Sequence, residues 1–217
     1  AKTEKSAEAA PKTGIENSKF NTQDVFSRDL NSRSAQGTAA VATRDMATID
    51  AALCATRLKG LMTSWNDNPA VWGGADALLI GSGANKEDDL RYLKSVALQI
   101  WLFGYELPDT LVLVTKTELH VVTGGKKAKL IETVVATVAA DAGVTVVVHN
   151  KPKGEDGEAQ ADELVAIVVD ASLVVGMVAK EASEGALTKY GTEKLKTKSV
   201  SVVEISSGLA DAMAVKD

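Results

Sequence analysis

Few residues in this chain combine the type and spacing that catalysis needs. His120 and His149 are the only histidines among 217 residues, and Cys54 is the only cysteine. A catalytic divalent metal needs three or more His, Asp, Glu or Cys ligands in close array, commonly two histidines one helical turn apart. Neither histidine belongs to such a pair: His120 falls inside an apolar strand pattern and His149 at the end of another, so each is expected to be structural. Cys54 follows Leu53 in an apolar helical stripe, which predicts packing rather than a reactive thiolate. No serine sits in a GxSxG elbow. The acidic runs Glu87-Asp88-Asp89 and Glu155 to Glu158 fall in polar loops and are read as solvated faces.

Two glycine turns invite comparison with phosphate cradles, and both fail on detail. In IGSGAN the third glycine of a dinucleotide fingerprint would stand at position 86, where the chain has Lys86. GGKKAK, after Thr123, lacks the leading glycine of a P-loop and the hydroxyl that should follow its lysine. Plain turns are expected at both. A binding surface is the alternative to a catalytic centre, and the stretch from Leu90 to Tyr105 offers one. It is apolar except for Arg91, Lys94, Ser95 and Gln99, which recur at helical spacing. Because unpaired cations are costly to bury, these four are expected to form an exposed strip that meets a partner, on a helix otherwise buried by Leu98, Trp101 and Leu102.

The elements that must hold such residues follow from periodicity. Leu58, Leu61, Met62 and Trp65 have the spacing of an amphipathic helix, which Ile49 and Leu53 extend backwards. ADALLIGSG predicts a buried strand, and Pro108 is expected to end the Leu90–Tyr105 helix. DTLVLVT and ELHVVT predict a hairpin around Lys116 and Thr117. Lys126 to Ala140 predicts a helix that Gly143 stops before the strand VTVVVHN. KPKGEDGEAQADE predicts an exposed loop running into a helix start, and LVAIVVDAS fits helix or strand. LVVGMVAK predicts a strand, Glu184 to Lys196 a polar helix, and KSVSVVEI a last strand. SSGLADAMAVKD looks like a further helix with nothing left in the chain to pack against. This alternation implies an α/β fold, a mixed sheet flanked by helices on both faces.

Composition narrows the function classes. With 45% hydrophobic and 24% charged residues, the chain can build a core without staples. A net charge of −5 gives no long-range attraction for phosphate, so direct DNA binding and docking on anionic membranes are not expected, and basic partners fit better. A single cysteine excludes an internal disulfide and suits a reducing compartment. No apolar run approaches the ~20 residues that span a bilayer. Residues 1–44 lack any periodic apolar face and are expected to be a disordered tail or leader, and the initial Ala suggests an excised piece.

YLKSVALQIWLFGYELPDTLVLV, from Tyr92 to Val114, resembles the most recognisable segment of the N-terminal domain of the FACT histone chaperone's large subunit. VVGMVAKEASEGALTKY resembles that family's strand and loop before a junction. SVVEISSGLADAMAVKD, Ser201 to Asp217, is similar to the junction itself, and the Leu58–Trp65 helix to its opening helix. The resemblance implies the N-terminal lobe of the creatinase and aminopeptidase P (pita-bread) fold, with the lobe at 45–204 and the start of a second lobe at 205–217. It implies an inactive relative of those peptidases, without metal or cofactor. Its setting would be the nucleus and chromosome, in nucleosome disassembly and reassembly during transcription, replication and repair. Its partners would be core histones or histone tails, the smaller FACT subunit through the full-length protein, and other chromatin or replication proteins. The rival expectation is the first lobe of a metal-dependent aminopeptidase P-like enzyme, and a third is an unrelated α/β protein. Limited proteolysis is expected to leave a protected fragment beginning near Met46; protection reaching upstream of about Arg28 would refute the tail.

Overall fold

The computed structural model describes residues 49–83, 93–104, 106–182 and 185–214. The expected tail at 1–44, and Arg91 of the polar strip, lie outside the described residues. Among the described residues, seven α-helices and six strands alternate as the apolar periods require. α1 (Ala51–Asp67) starts where the Asp50 carboxylate accepts the Leu53 N–H at 3.0 Å. It buries Cys54, Leu58, Leu61, Met62 and Trp65. β1 (Ala77–Ser82) is buried along its whole length. α2 (Lys94–Phe103) ends at Gly104, whose φ of 84° makes the left-handed cap that a residue with a Cβ would resist. That glycine, rather than the expected Pro108, is the stop.

β2 (Thr110–Val114) and β3 (Glu118–Gly124) form the expected hairpin, with Thr115 N–H donating to the Glu118 carbonyl at 2.8 Å. The following helix begins as α3 (Gly125–Leu130), passes through a π turn (Ile131–Val135), resumes as α4 (Ala136–Ala139) and closes in a 3-10 turn before Gly143. β4 (Thr145–Lys151) leads through the polar loop to α5 (Glu158–Asp170), so LVAIVVD is helical. Its β-branched content argues for strand. Burial of Ala161, Leu164, Val165 and Val168 on one helical face overrides that local preference. β5 (Val175–Met177), a 3-10 turn (Ala179–Glu181), α6 (Ala186–Thr197), β6 (Val202–Glu204) and α7 (Ser206–Ala214) complete the chain.

The sheet order is β4-β3-β2-β1-β5-β6. β1/β2 and β2/β3 pair antiparallel, while β1/β5, β5/β6 and β3/β4 pair parallel, which makes the sheet mixed as expected. Alternate residues of each strand feed two cores. Leu78, Ile80, Val112, Val114, Leu119 and Val121 meet α1, α2, α7 and the α3–α4 helix. Leu79, Leu111, Leu113, Val122 and Val175 face α5 and α6.

One expectation is corrected at the C-terminal end. α7 does find a surface: Ile205 and Leu209 are fully buried in the core they share with α1, and Ala212 nearly so. The fit is tight, since a Cβ on Gly208 would come within 2.4 Å of the Trp72 ring. The sequence suggested a helix here but not the groove beside Trp72 that takes it. Leu209→Ala is therefore expected to destabilise the fold by about 2–4 kcal/mol, the range for a buried leucine that leaves a cavity. Urea unfolding checks this, and a change below about 0.5 kcal/mol, typical of a surface site, would remove α7 from the core.

Candidate functional site

β1 and β5 run parallel, yet the chain leaves their carboxyl ends toward opposite faces of the sheet. α2 follows β1 on the face of α1 and α7, whereas α6 follows β5 on the other. Where neighbouring parallel strands diverge in this way a crevice opens at their ends, the usual ligand position in open α/β sheets. Here it lies between Ile80, Gly81, Met177 and Val178, with Ser95 of α2 on one side and Thr188 of α6 on the other.

A side chain of the protein occupies the anion position of this crevice. Glu181, 8% exposed, reaches the amino end of α2, where Oε1 accepts the Lys94 N–H at 2.7 Å and Oε2 the Ser95 N–H at 3.0 Å. A carboxylate there satisfies two of the helix's free donors and lies at the positive end of its dipole. This is the bonding an anionic ligand would seek, supplied internally. Gly81 allows the close approach of α6, for a Cβ at that position would fall 1.9 Å from Thr188 Oγ1.

The crevice also corrects the expected polar strip. Ser95 and Gln99 are each 2% exposed, so neither lies on a wet edge. Gln99 is held from both ends of its amide: Nε2 donates to Ser82 Oγ at 3.0 Å, and Oε1 accepts the Leu107 N–H at 3.0 Å. Ser82 Oγ in turn donates to the Leu107 carbonyl at 2.6 Å. Desolvation that would expel a lone amide is offset by partners that helical spacing cannot reveal. Lys94 is half-buried, and the exposed position on α2 is the apolar Ile100, at 40%. Trp101 beside it is half-buried, with the Arg57 guanidinium 5.5 Å from its ring centroid.

The two histidines, far apart in sequence, meet on the α5 side of the sheet. His120 Nδ1 lies 3.2 Å from His149 Nε2, His120 Nε2 lies 3.2 Å from Glu118 Oε2, and His149 Nδ1 lies 2.6 Å from Glu163 Oε2. The arrangement is a line rather than a ring of ligands. Among the described residues no group of three or more His, Cys, Asp or Glu is placed to hold a metal ion. Burial pushes His120 below the usual histidine range, opposed by Glu118 and aided by His149. Cys54 is 1% exposed, and burial raises its thiol to about 11, which removes it as a nucleophile at neutral pH.

The two lysine-bearing turns, GGKKAK and KPKG, converge at the ends of the parallel pair β3/β4. A cleft of about 520 Å³ lies there, lined by Gly124, Gly125, Lys151 and Lys153 among others. Of the lysines in these turns, Lys151 pairs with Asp109, and Lys127 donates to the Pro108 carbonyl. The IGSGAN turn is described only to Gly83.

Comparison with known proteins gives a consistent result. The sequence model described as the FACT complex subunit SPT16 N-terminal lobe domain matches residues 49–208. The chain is 42% identical over 170 residues to the FACT complex subunit SPT16 of Arabidopsis thaliana, covering 75% of this chain and 16% of that protein. It is 38% identical over 166 residues to the maize counterpart, with 74% and 16% covered. The chain thus spans about one sixth of the length of these relatives. Among solved structures, the N-terminal domain of SPT16 from chickpea superposes with a TM-score of 0.72 at 35% identity, covering 78% of this chain and 39% of that one. That from Eremothecium gossypii gives 0.67 at 26% identity, covering 79% and 40%.

Two outcomes follow from the site. Glu181→Ala is expected to lower stability by about 1.5–3 kcal/mol, as for loss of hydrogen bonds to a charged group, with part of the loss restored by acetate occupying the freed position. Urea midpoints with acetate and with chloride at equal ionic strength check it; a variant as stable as the parent would exclude the capping role. The second concerns pH. The folded state disfavours protonated His120, so the unfolded state binds more protons below its ordinary value of about 6.5 and this contribution to stability is lost as pH falls through that point. Urea midpoints between about pH 7.5 and 5.5 should fall more steeply for the parent than for His120→Phe; parallel profiles would contradict the assignment.

Proposed function

Since this chain belongs to the family of the FACT complex subunit SPT16 N-terminal lobe domain, we propose that it is a non-catalytic protein-interaction lobe of a histone chaperone, acting in nucleosome disassembly and reassembly during transcription and replication. The observation that carries this reading is the reach of the family match, residues 49–208, which takes in the sheet and every helix through the start of α7. The partners that suit it are core histones or their basic tails, met in the nucleus on chromatin, and the smaller FACT subunit through the rest of the protein. The net charge of −5 is compatible with basic partners and opposes direct binding to DNA.

The chemistry of the folded lobe supports recognition without turnover. Its switch-point crevice is taken by Glu181, its thiol is buried and raised, and its histidines are tied to each other and to two glutamates. On α2, Lys94 and the exposed Ile100 remain to contribute to a partner surface, whereas Ser95 and Gln99 serve the interior.

The reading is tested by titrating the purified chain with core histones across a salt series. Saturable binding that weakens as salt rises is expected, because screening removes the attraction between an acidic lobe and basic tails. No binding at low salt would refute a histone-binding role for this lobe. In parallel, proline-containing peptides incubated with the chain and cobalt, manganese or zinc should keep their N-terminal residue; metal-dependent release would favour the peptidase reading.

A further inference from the structure

We infer that the crevice between the ends of β1 and β5 is a binding site for a single structural water molecule, held by Ser95 Oγ, Thr188 Oγ1 and the Glu181 carboxylate. Ser95 and Thr188 are 2% and 3% exposed, and their hydroxyl oxygens have no hydrogen-bond partner among the described protein atoms. Both line the same small cavity, and Glu181 lines it with them. Two buried hydroxyls left unpaired would each forfeit the hydrogen bonds they make in water, about 1–3 kcal/mol apiece, so such groups in a native fold call for a partner.

Size and chemistry select that partner. The space open to a water-sized centre is about 10 Å³, roughly one such sphere, which matches a single water. Each carboxylate oxygen of Glu181 already accepts one backbone N–H and has lone-pair capacity left. A water can donate one hydrogen to this carboxylate, donate the other to one hydroxyl and accept from the second. That makes three hydrogen bonds, the usual number for a buried water. A cation suits the place poorly, because the amino end of α2 presents its N–H groups to the same carboxylate, and apolar Leu79, Ile80, Met177 and Val178 are among the other walls.

The water would join α2, the Ala179–Glu181 turn and α6 at the point where the two faces of the sheet meet. It gives Ser95 and Thr188, which are 93 residues apart by their numbering and share no direct bond, a common partner. It also gives the buried Ser95 hydroxyl a partner.

A crystal structure of the 217-residue chain at about 1.8 Å or better is the direct test. It should show one density peak within about 2.6–3.2 Å of Ser95 Oγ, Thr188 Oγ1 and a Glu181 oxygen. Magnetic relaxation dispersion of water oxygen-17 should count one fewer long-lived water in Thr188→Val than in the parent, with Ser95→Ala as a second variant should valine prevent folding. The inference is overturned if the parent's hydroxyls bond directly to protein atoms with no peak between them, or if the long-lived water count is unchanged in the folded variant. A peak surrounded by four or more oxygens at about 2.4 Å, a metal-ion distance, overturns it as well.

Discussion

The central strand β1 is buried on both faces and along its whole length, and the architecture is organised around that constraint. A strand with no wet side must have helices above and below it. The connections after β1 and its parallel neighbour β5 supply them, one on each face. The cost of that arrangement is a crevice at the strand ends where neither α2 nor α6 covers the gap. Glu181 closes it, and its two charge-assisted bonds to the Lys94 and Ser95 amides fix where α2 begins.

The position of α2 decides much of what surrounds it. With its first turn anchored, Leu98, Leu102 and Phe103 enter the core shared with α1 and α7, and Gln99 is brought against Ser82 and Leu107. That amide ties α2 to the end of β1 and to the chain entering β2. α7 then packs beside α1, with Gly208 against Trp72, while Trp72 lies 6.3 Å from Trp65. Lys116, at the β2/β3 turn, places its ammonium 3.4 Å from the Trp65 ring centroid, and desolvation there pushes it below the usual lysine range. The aromatic cluster thereby links the first helix, the hairpin and the last helix.

The same economy accounts for the shortage of reactive groups. A position that could bind an anion is filled by the protein's own carboxylate, and the two histidines bridge neighbouring strands and a helix rather than face open solvent.

The sequence alone determined the alternation of helices and strands, the two-faced burial of the sheet, the hairpin at Lys116 and the family, because apolar periods of 2 and 3.6 and two long motifs are local properties of the chain. It left LVAIVVDAS open between helix and strand, since β-branched residues fit both and only the α5 packing face settles it. It mistook the wet side of α2. Ser95 and Gln99 were both expected outside because they are polar; Gln99 is inside because Ser82 and Leu107 meet its amide, and Ser95 is inside at the turn of α2 whose backbone N–H groups Glu181 caps. It also found no surface for α7, although Leu209 is fully buried. These points were decided by tertiary structure for one reason: whether a polar atom can be buried, or an apolar face covered, depends on partners tens of residues away, and spacing along one helix carries no record of them.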